Sequence, residues 1–351
     1  MNRRTYLKSS LAVGGSLLIP PSVLALAGCS GTARVPELAS IDGQIMGTSY
    51  SVRFDAAGDK SLSAAIHTAL QDVDAHMSTW RASSELTQFN NSTHGDWQPL
   101  TAATTQVVAH ALETSRASKG AFDVTVGPLV DLWGFGGGSE ESSRNGTRPA
   151  RSDISQTLAA VGHEAIEVDV TANAIRKQNS ASRLDLSGIA KGHAVDQIAA
   201  VMNAHGIENY LAEVGGELKA RGLKPDGSQW RVAIERPDAG KRDVYRVINL
   251  QDRAIATSGD YRNFFSDDAG KLYSHSIDPR TGQPVSHELA SVSVLAESTM
   301  AADALSTALM IMGPDDAMTF ANQHQIAAHV ILKSGKALEE HFSSTFESFV
   351  A

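Results

Sequence analysis

The 351-residue chain carries 30 Lys+Arg against 39 Asp+Glu, a formal charge of −9, with 42% hydrophobic residues and a single cysteine. That acidity argues against nucleic acid or an anionic membrane surface as the main partner, and one cysteine excludes an internal disulfide framework. A chain of this length buries a large core, as one large domain or two.

The first eight residues, Met1 to Lys8, are basic and hold no acidic residue. An apolar run from Leu11 to Ala27, broken by Pro20-Pro21, leads into Leu26-Ala27-Gly28-Cys29. Basic head, apolar centre and small-residue cleavage site describe a signal peptide over residues 1–28. The apolar part is too short and too broken for the ~20 residues of a spanning helix. The last four residues resemble a lipobox, so Cys29 is expected to carry lipid, with residues 29–40 as a tether. The expected location is the periplasmic side of a bacterial membrane; Ser30 leaves inner and outer membrane open, with the inner one expected. Arg3-Arg4-x-Tyr6-Leu7-Lys8 resembles a twin-arginine signal, which a receptor reads, although general export stays open. Residues 1–28 hold three basic residues and no acidic one, so the 323 that remain carry −12 and, once Cys29 is lipidated, no thiol nucleophile. An anionic diphosphate ligand would then need a local basic group or a metal to cancel repulsion.

The domain is expected over residues 41–351. Ile45–Val52 reads as an edge-forming strand. Leu62, Ile66, Leu70, Val73 and Met77 recur at helical spacing and predict a helix over 60–77. Thr101 to Ala117 predicts a second, with Val107, Val108, Ala111 and Leu112 inward and Gly120 ending it. Gly134, Gly136, Gly137 and Gly138, then Ser139 to Pro149, predict a flexible loop near 136–149. Downstream, β-rich runs at Ile166–Val170, Leu184–Leu186, Tyr210–Val214, Trp230–Ile234, Val244–Leu250, Val292–Leu295 and His329–Leu332 are interrupted by helical runs. Those helices fall at Ile189–Ala204, Thr299–Met312 and Pro314–Asn322, the last with Pro in its first turn. The pattern is α+β with mixed, largely antiparallel sheets and packed helices.

Four segments combine glycine, polar residues and an abrupt change of period. The first is Gly120-Ala121-Phe122-Asp123 to Leu129, continuing to Leu132–Gly136. The second, Asp185-Leu186-Ser187-Gly188-Ile189-Ala190-Lys191-Gly192, reads as a strand end, a turn and a helix start, where backbone N–H groups can hold anionic oxygens. Lys191 supplies the basic group that the acidity demands; the alternative is a tight turn with a solvent-facing lysine. The third runs from Thr257 to Asn263 and from Tyr273 to Gly282, with a turn at Asp278-Pro279 and with His275 as either a reactive or a satisfied structural histidine. The fourth is Met300 to Leu309, where Asp303 and Thr307 lie four apart on one helix and suit a hard cation that keeps some water. Its alternative has Thr307 bonding back to the Asp303 carbonyl while Asp303 faces solvent.

Together with Met46-Gly47-Thr48-x-Tyr50, Met77-Ser78-Thr79-Trp80, Ser84-Glu85-Leu86, Phe89-Asn90, Glu213-Val214-Gly215-Gly216-Glu217 and Ala256–Tyr261, these segments resemble the ApbE family of FAD:protein FMN transferases, from about Met46 to Ile331. The resemblance implies an ApbE-like, T-fold-like architecture and Mg²⁺-dependent transfer of FMN from FAD to a threonine hydroxyl of a partner protein, releasing AMP. It implies flavin and adenine contacts from Met46, Trp80, Ala121, Phe122 and Asp123, with Trp80 replacing a frequent tyrosine, and FAD contacts from Asp185 and Ser187. Lys191 would meet the diphosphate; Ala190 through its carbonyl, Asp303 and Thr307 would be metal ligands. His275 would sit beside the reacting phosphate, and His275 or Asp278 would take the threonine proton. Glu217 stands where relatives vary, and no task is assigned to it. The implied partners are exported or membrane-bound acceptors carrying a target threonine. An FAD-storing lipoprotein and an FAD pyrophosphatase are the competing functions; a flavin redox enzyme is disfavoured by the missing Rossmann fingerprint.

Overall fold

A computed structural model describes residues 38–55, 60–136, 148–238, 240, 243–261, 264–266, 272–335 and 337–349, all within the compact unit Pro36–Ala351. The expected signal peptide, Cys29 and most of the tether lie outside these residues, as do residues 137–147 of the expected loop.

The chain begins with a hairpin. Strands β1 (Ala39–Ile45) and β2 (Thr48–Phe54) pair antiparallel around Met46-Gly47, whose φ values are 50° and 70°. The single strand expected over 45–52 is therefore two strands and a turn, and β1 already includes residues 39 and 40 of the expected tether. Two consecutive positive φ values suit the right-handed twist of a two-residue hairpin, but Met-Gly lacks the Asn-Gly signature that would announce it.

Helix α1 (Lys60–Met77) buries the five apolar positions of its predicted stripe. Ser84 caps α2 (Glu85–Asn91), β3 (Gln98–Pro99) follows, and Thr101 caps α3 (Ala102–Ala117). The chain continues through α4 (Gly127–Leu132), α5 (Arg151–Leu158), β4 (Ile166–Asp169) and β5 (Ala174–Lys177), with β3, β5 and β4 forming a small antiparallel sheet. Leu184–Leu186 is extended but not a strand: Leu184 N–H donates to the Asn90 side chain and Asp185 N–H to the Val124 carbonyl. Side-chain and loop acceptors satisfy this backbone in place of a ladder.

Next come α6 (Ala190–Ala204), β6 (Tyr210–Val214), β7 (Glu217–Arg221), the hairpin β8 (Trp230–Glu235) and β9 (Val244–Leu250), and β10 (Arg253–Gly259). Short pairs β11 (Phe264–Ser266) with β12 (Leu272–Ser274) and β13 (Ile277–Asp278) with β14 (Gln283–Pro284) precede β15 (Leu289–Ala296). The chain then runs through α7 (Thr299–Met312), α8 (Pro314–Gln323), β16 (Ala327–Ser334), β17 (Ala337–Phe342) and α9 (Ser344–Glu347).

The main sheet has eight strands in the order β1-β2-β6-β7-β10-β15-β16-β17, every neighbouring pair antiparallel. Its centre is buried on both faces. Ile255 and Leu295 enter a cluster with Trp230, Val232 and Ile248 of the β8–β9 hairpin, while Ala256, Val292 and Val294 enter another with Leu309 and Ala317 of α7 and α8. Two-residue alternation sends neighbours to opposite faces, and both faces are covered, so β15 is buried along nearly its whole length, Ser291 and Ser293 included. The largest cluster joins α1, α2, α3 and α6 to β2 and β6. Each fully buried Leu or Ile in it contributes about 1.5–3 kcal/mol. This packing holds α6 and α7 against each other, and the site lies at that junction.

Candidate active site

A cavity of about 570 Å³ opens where the N-terminal part of α6, the β6–β7 turn, the end of β10, the His275–Pro279 segment and α7 meet. Helix α6 starts directly after the Ser187-Gly188 turn and carries Lys191 in its first turn. Two residues of α7, Asp303 and Thr307, face the same space, as the four-residue spacing requires. The two helices touch at Gly192. A Cβ there would fall on the Thr299 carbonyl and on Asp303 Cβ, so only glycine allows the approach. The contact is closed by Gly192 N–H donating to Asp303 Oδ2 at 2.9 Å.

Lys191 reaches across to β7, where its Nζ donates to Glu217 Oε1 at 2.5 Å. Gly215, with φ of 63°, makes room: a Cβ there would crowd the Lys191 side chain at 3.2 Å. Glu217 and Asp303 are both buried, and Glu217 Oε2 has no hydrogen-bond partner among the described residues. Burial opposes the charge on Lys191, but Glu217 and Asp303 outweigh it and hold the ammonium above its ordinary range. Burial pushes both carboxyls up, against the pull of Lys191. Among the described residues lining the cavity, Asp123, Asp185, Glu213, Glu217, Glu235 and Asp303 face one lysine and one histidine. Among these residues acids outnumber bases.

The hydroxyls of α7 are divided in a way the sequence did not decide. Ser306, not Thr307, returns its hydroxyl to the Asp303 carbonyl at 3.0 Å, and Asp303 is 3% exposed, away from bulk solvent. Thr307 Oγ1 instead lies 3.3 Å from Ser258 Oγ, which is 2.8 Å from Ser306 Oγ. Asp303 and Thr307 thus line the cavity, whereas Ala190 is buried at the first turn of α6 and is not part of the lining. Among the described residues, no group of three or more His, Cys, Asp or Glu side chains gathers as a metal cluster. A carboxylate and a hydroxyl four residues apart on α7 are donors that suit a hard divalent cation completed by other oxygens, from backbone, water or phosphate. The adjacent excess of buried negative charge fits the same ion.

The other expected residues divide between wall and surroundings. Ala121, Phe122, Asp123, Asp185, Ser187 and His275 line the cavity. Asp123 is already committed: it accepts from Thr125 N–H and Oγ1 and from His163 N–H, and so shapes its loop. Asp185 Oδ1 likewise accepts from Ser187 N–H at 2.8 Å and tightens the turn before α6. Tyr273 and Ile277 are buried with Trp133 and Leu129, whose packing fixes the backbone on both sides of His275. The His275 ring meets Phe135 edge-on at 6.3 Å. Asp278 does not line the cavity, and Arg280 donates to both its carboxylate oxygens at 2.9 Å. Trp80, 72% exposed, borders a smaller hollow of about 270 Å³ that shares Asp185 with the main cavity. Met46 packs at the hairpin turn against the main core and lines neither. Glu217, given no task from sequence, is the counter-ion of Lys191; its identity as a buried partner depends on a contact 26 residues away and has no local signal.

The ApbE family model matches residues 46–331. The FAD:protein FMN transferase of Vibrio cholerae is 40% identical over 334 residues, covering 94% of this chain and 97% of that protein. Its solved structure, the flavin transferase ApbE, superposes with a TM-score of 0.81 at 39% identity, over 89% of this chain and 99% of the other. The apo flavinyl transferase ApbE of Pseudomonas stutzeri gives 0.80 at 36% identity, over 90% and 97%. The antiparallel α+β architecture expected from sequence is the architecture of these enzymes. With a matched segment spanning most of its length and relatives this similar, the chain belongs to the ApbE family.

Proposed function

We propose that this enzyme transfers the FMN moiety of FAD to a threonine hydroxyl of a partner protein, in an Mg²⁺-dependent reaction that releases AMP. The single observation that carries the metal requirement is the cavity wall, in which Asp303 and a buried, half-partnered Glu217 leave Lys191 outnumbered. A dianionic diphosphate enters such a wall only with a cation, which supplies charge neutralisation at the phosphorus and at the departing phosphate. Ala190 through its carbonyl, Asp303 and Thr307 would hold it.

The chain's own groups then act by position. Lys191 sits at the α6 start, where its ammonium and the helix N–H groups meet the diphosphate. Ala121 and Phe122 supply apolar wall, with the Phe122 ring beside Gly188 ahead of α6. His275 lines the cavity and Asp278 is held by Arg280, which favours His275 as the group that takes the threonine proton. The threonine oxygen forms its bond to the FMN phosphorus while the bond from that phosphorus to the bridging oxygen breaks, and AMP departs with that oxygen. Transfer of this kind depends chiefly on positioning and electrostatic stabilisation.

No helix among the described residues is long and apolar enough to cross a membrane. Lipidation at Cys29 would hold the enzyme on the periplasmic side of the inner membrane, within reach of exported or membrane-bound acceptors. Fractionation of a Cys29→Ser variant tests this, the expected result being release from membranes. For the reaction, the mature chain is incubated with FAD, Mg²⁺ and a panel of exported threonine-containing proteins. AMP formation together with acid-stable flavin on a partner is expected. FAD retained without AMP would make the protein a store, and AMP without labelling would make it a pyrophosphatase.

A further inference from the structure

One side chain outside the cavity wall is held by a dense set of hydrogen bonds. Asp196, on α6, accepts from five donors. Its Oδ1 takes Lys219 Nζ at 2.8 Å, Thr299 N–H at 3.1 Å and Thr299 Oγ1 at 3.1 Å; its Oδ2 takes Ser298 Oγ at 2.9 Å and Met300 N–H at 2.9 Å. Four of these donors belong to the N-terminus of α7. The carboxylate thus caps α7 from another helix, satisfying orphan amides and facing the positive end of the helix dipole. Burial alone would raise the Asp196 carboxyl, but Lys219 and the α7 amides more than offset it and hold it below the usual carboxylate range.

The placement matters because α6 and α7 carry the two halves of the candidate cation site. Ala190 and Lys191 come from α6; Asp303 and Thr307 come from α7. The helices touch at Gly192, whose N–H holds Asp303 Oδ2. Apolar side chains of both helices share the main core cluster, and the bond from Gly192 to Asp303 is one directional contact within that packing. Asp196, four residues further along α6, supplies a second point of attachment. Together with that packing, the two sets of directional bonds hold the rotation and axial register of α7 on α6, and with them the placement of Asp303 and Thr307 relative to the start of α6. The strand β7 repeats the scheme with charges exchanged: Lys191 pairs with Glu217 and Asp196 pairs with Lys219, two residues apart on the same strand.

We propose that Asp196 is a positioning residue of the cation site, setting Mg²⁺ affinity by locking the N-terminus of α7 to α6. This rests on the reading of Asp303 as an Mg²⁺ ligand. The carboxylate touches neither substrate nor metal; it acts through the register of α7. Groups that orient metal ligands from behind typically change affinity by about 10–100-fold when removed.

The test uses the mature chain, freed of metal and saturated with FAD, titrated with MgCl₂ and followed by the rise in thermal midpoint and by calorimetry. Asp196→Asn keeps the shape but weakens the cap, and is expected to raise the Mg²⁺ dissociation constant about tenfold while flavin affinity in chelator changes less than twofold. Lys219→Met removes the counter-ion but leaves every α7 donor in place, so its Mg²⁺ affinity should stay within about threefold of the parent chain. A merely structural role would move both variants alike, and that result would overturn the proposal, as would an Asp196→Asn variant with parental Mg²⁺ affinity. Should Asp196→Asn fail to fold, Thr299→Val removes one donor and keeps the ion pair; a smaller shift in the same direction supports the proposal, and none overturns it. Asp303→Ala separates the two readings. If it binds Mg²⁺ as the parent does, the cation site itself is misassigned and the role of Asp196 falls with it; if it loses Mg²⁺ while Asp196→Asn binds normally, only the present proposal fails.

Discussion

Two regions of this molecule enclose ionisable side chains, and they balance their charges in opposite ways. At the cavity, two buried carboxylates share one lysine, and Glu217 Oε2 is left without a partner. At the far edge of the main sheet, His329 on β16 donates or accepts with Glu340 on β17 at 3.1 Å, and Glu340 is gripped on both oxygens by Arg246 of β9. There the charges balance. Phe342 and Phe346 stack on the His329 ring at 4.8 and 5.6 Å, and Arg246 lies 5.1 Å over Phe342. Side-chain hydrogen bonds from Arg246 hold the Glu340 carboxyl below its ordinary range, against some burial. Burial instead raises Glu217 and Asp303 above theirs. His329 Nδ1 also has no hydrogen-bond partner among the described residues, so the two regions differ in charge: at the edge one guanidinium answers one carboxylate, whereas at the cavity the excess of buried carboxylate is a demand on a ligand.

The most severe way to break this contrast is at Asp303. Asp303→Ala should lower FMN transfer by about 100-fold at limiting Mg²⁺, measured as flavin attached to an acceptor per unit time. Trp80→Ala, at the exposed rim, should cost about tenfold at most, since stacking there adds only about 0.5–1.5 kcal/mol. Full transfer by Asp303→Ala would show that the deficit at the cavity serves no cation.

Next in size is Lys191. Lys191→Met leaves Glu217, 3% exposed, and Asp303 with no positive neighbour, and should destabilise the metal-free chain by about 3 kcal/mol in urea unfolding. Added Mg²⁺ should restore part of that loss, because an ion bound only to the folded state stabilises it by mass action. At the sheet edge, Arg246→Met should cost about 2 kcal/mol, less because the pair is half-buried. There Mg²⁺ should restore nothing, and transfer should stay within twofold of the parent. Mg²⁺ rescue at both regions, or at neither, would dissolve the distinction.

What the sequence made legible follows the range of the interactions. Helices α1 and α7 match their predicted ranges because a 3.6-residue stripe and a local cap are written within one segment. Asp303 and Thr307 are visible together for the same reason: four residues on one helix set their geometry. The hairpin at Met46-Gly47 was hidden because its turn lacks the usual residues, and β10, rich in Ala, Thr and Ser, because it draws its burial from both neighbouring strands. Glu217 and Asp196 were the least legible. Each looks like an ordinary surface carboxylate until strands and helices separated by 26 and more than 100 residues bring its partner close. The cavity's chemistry is local, whereas the supports that hold it in register are not.

The smallest effect expected is also the cleanest probe of the balanced region. Burial lowers His329 to about 4, with Glu340 pulling the other way, so the folded chain keeps this imidazole neutral where an unfolded one near 6.5 would take a proton. Between those values the unfolded state binds more protons than the native state. The contribution is therefore fully present above about pH 6.5, is lost as pH falls toward 4, and changes no further below that. Going from pH 6.5 to 5.5 should cost about 1 kcal/mol from this residue, since the unfolded imidazole goes from half to mostly protonated over that unit while the folded one stays neutral. His329→Phe preserves an aromatic ring in the stack and removes the proton site, so its stability should decline less over the same interval in urea titrations. An identical acid slope in parent and variant would mean that the imidazole is not held neutral, and the sheet edge would lose its standing as the internally balanced counterpart of the cavity.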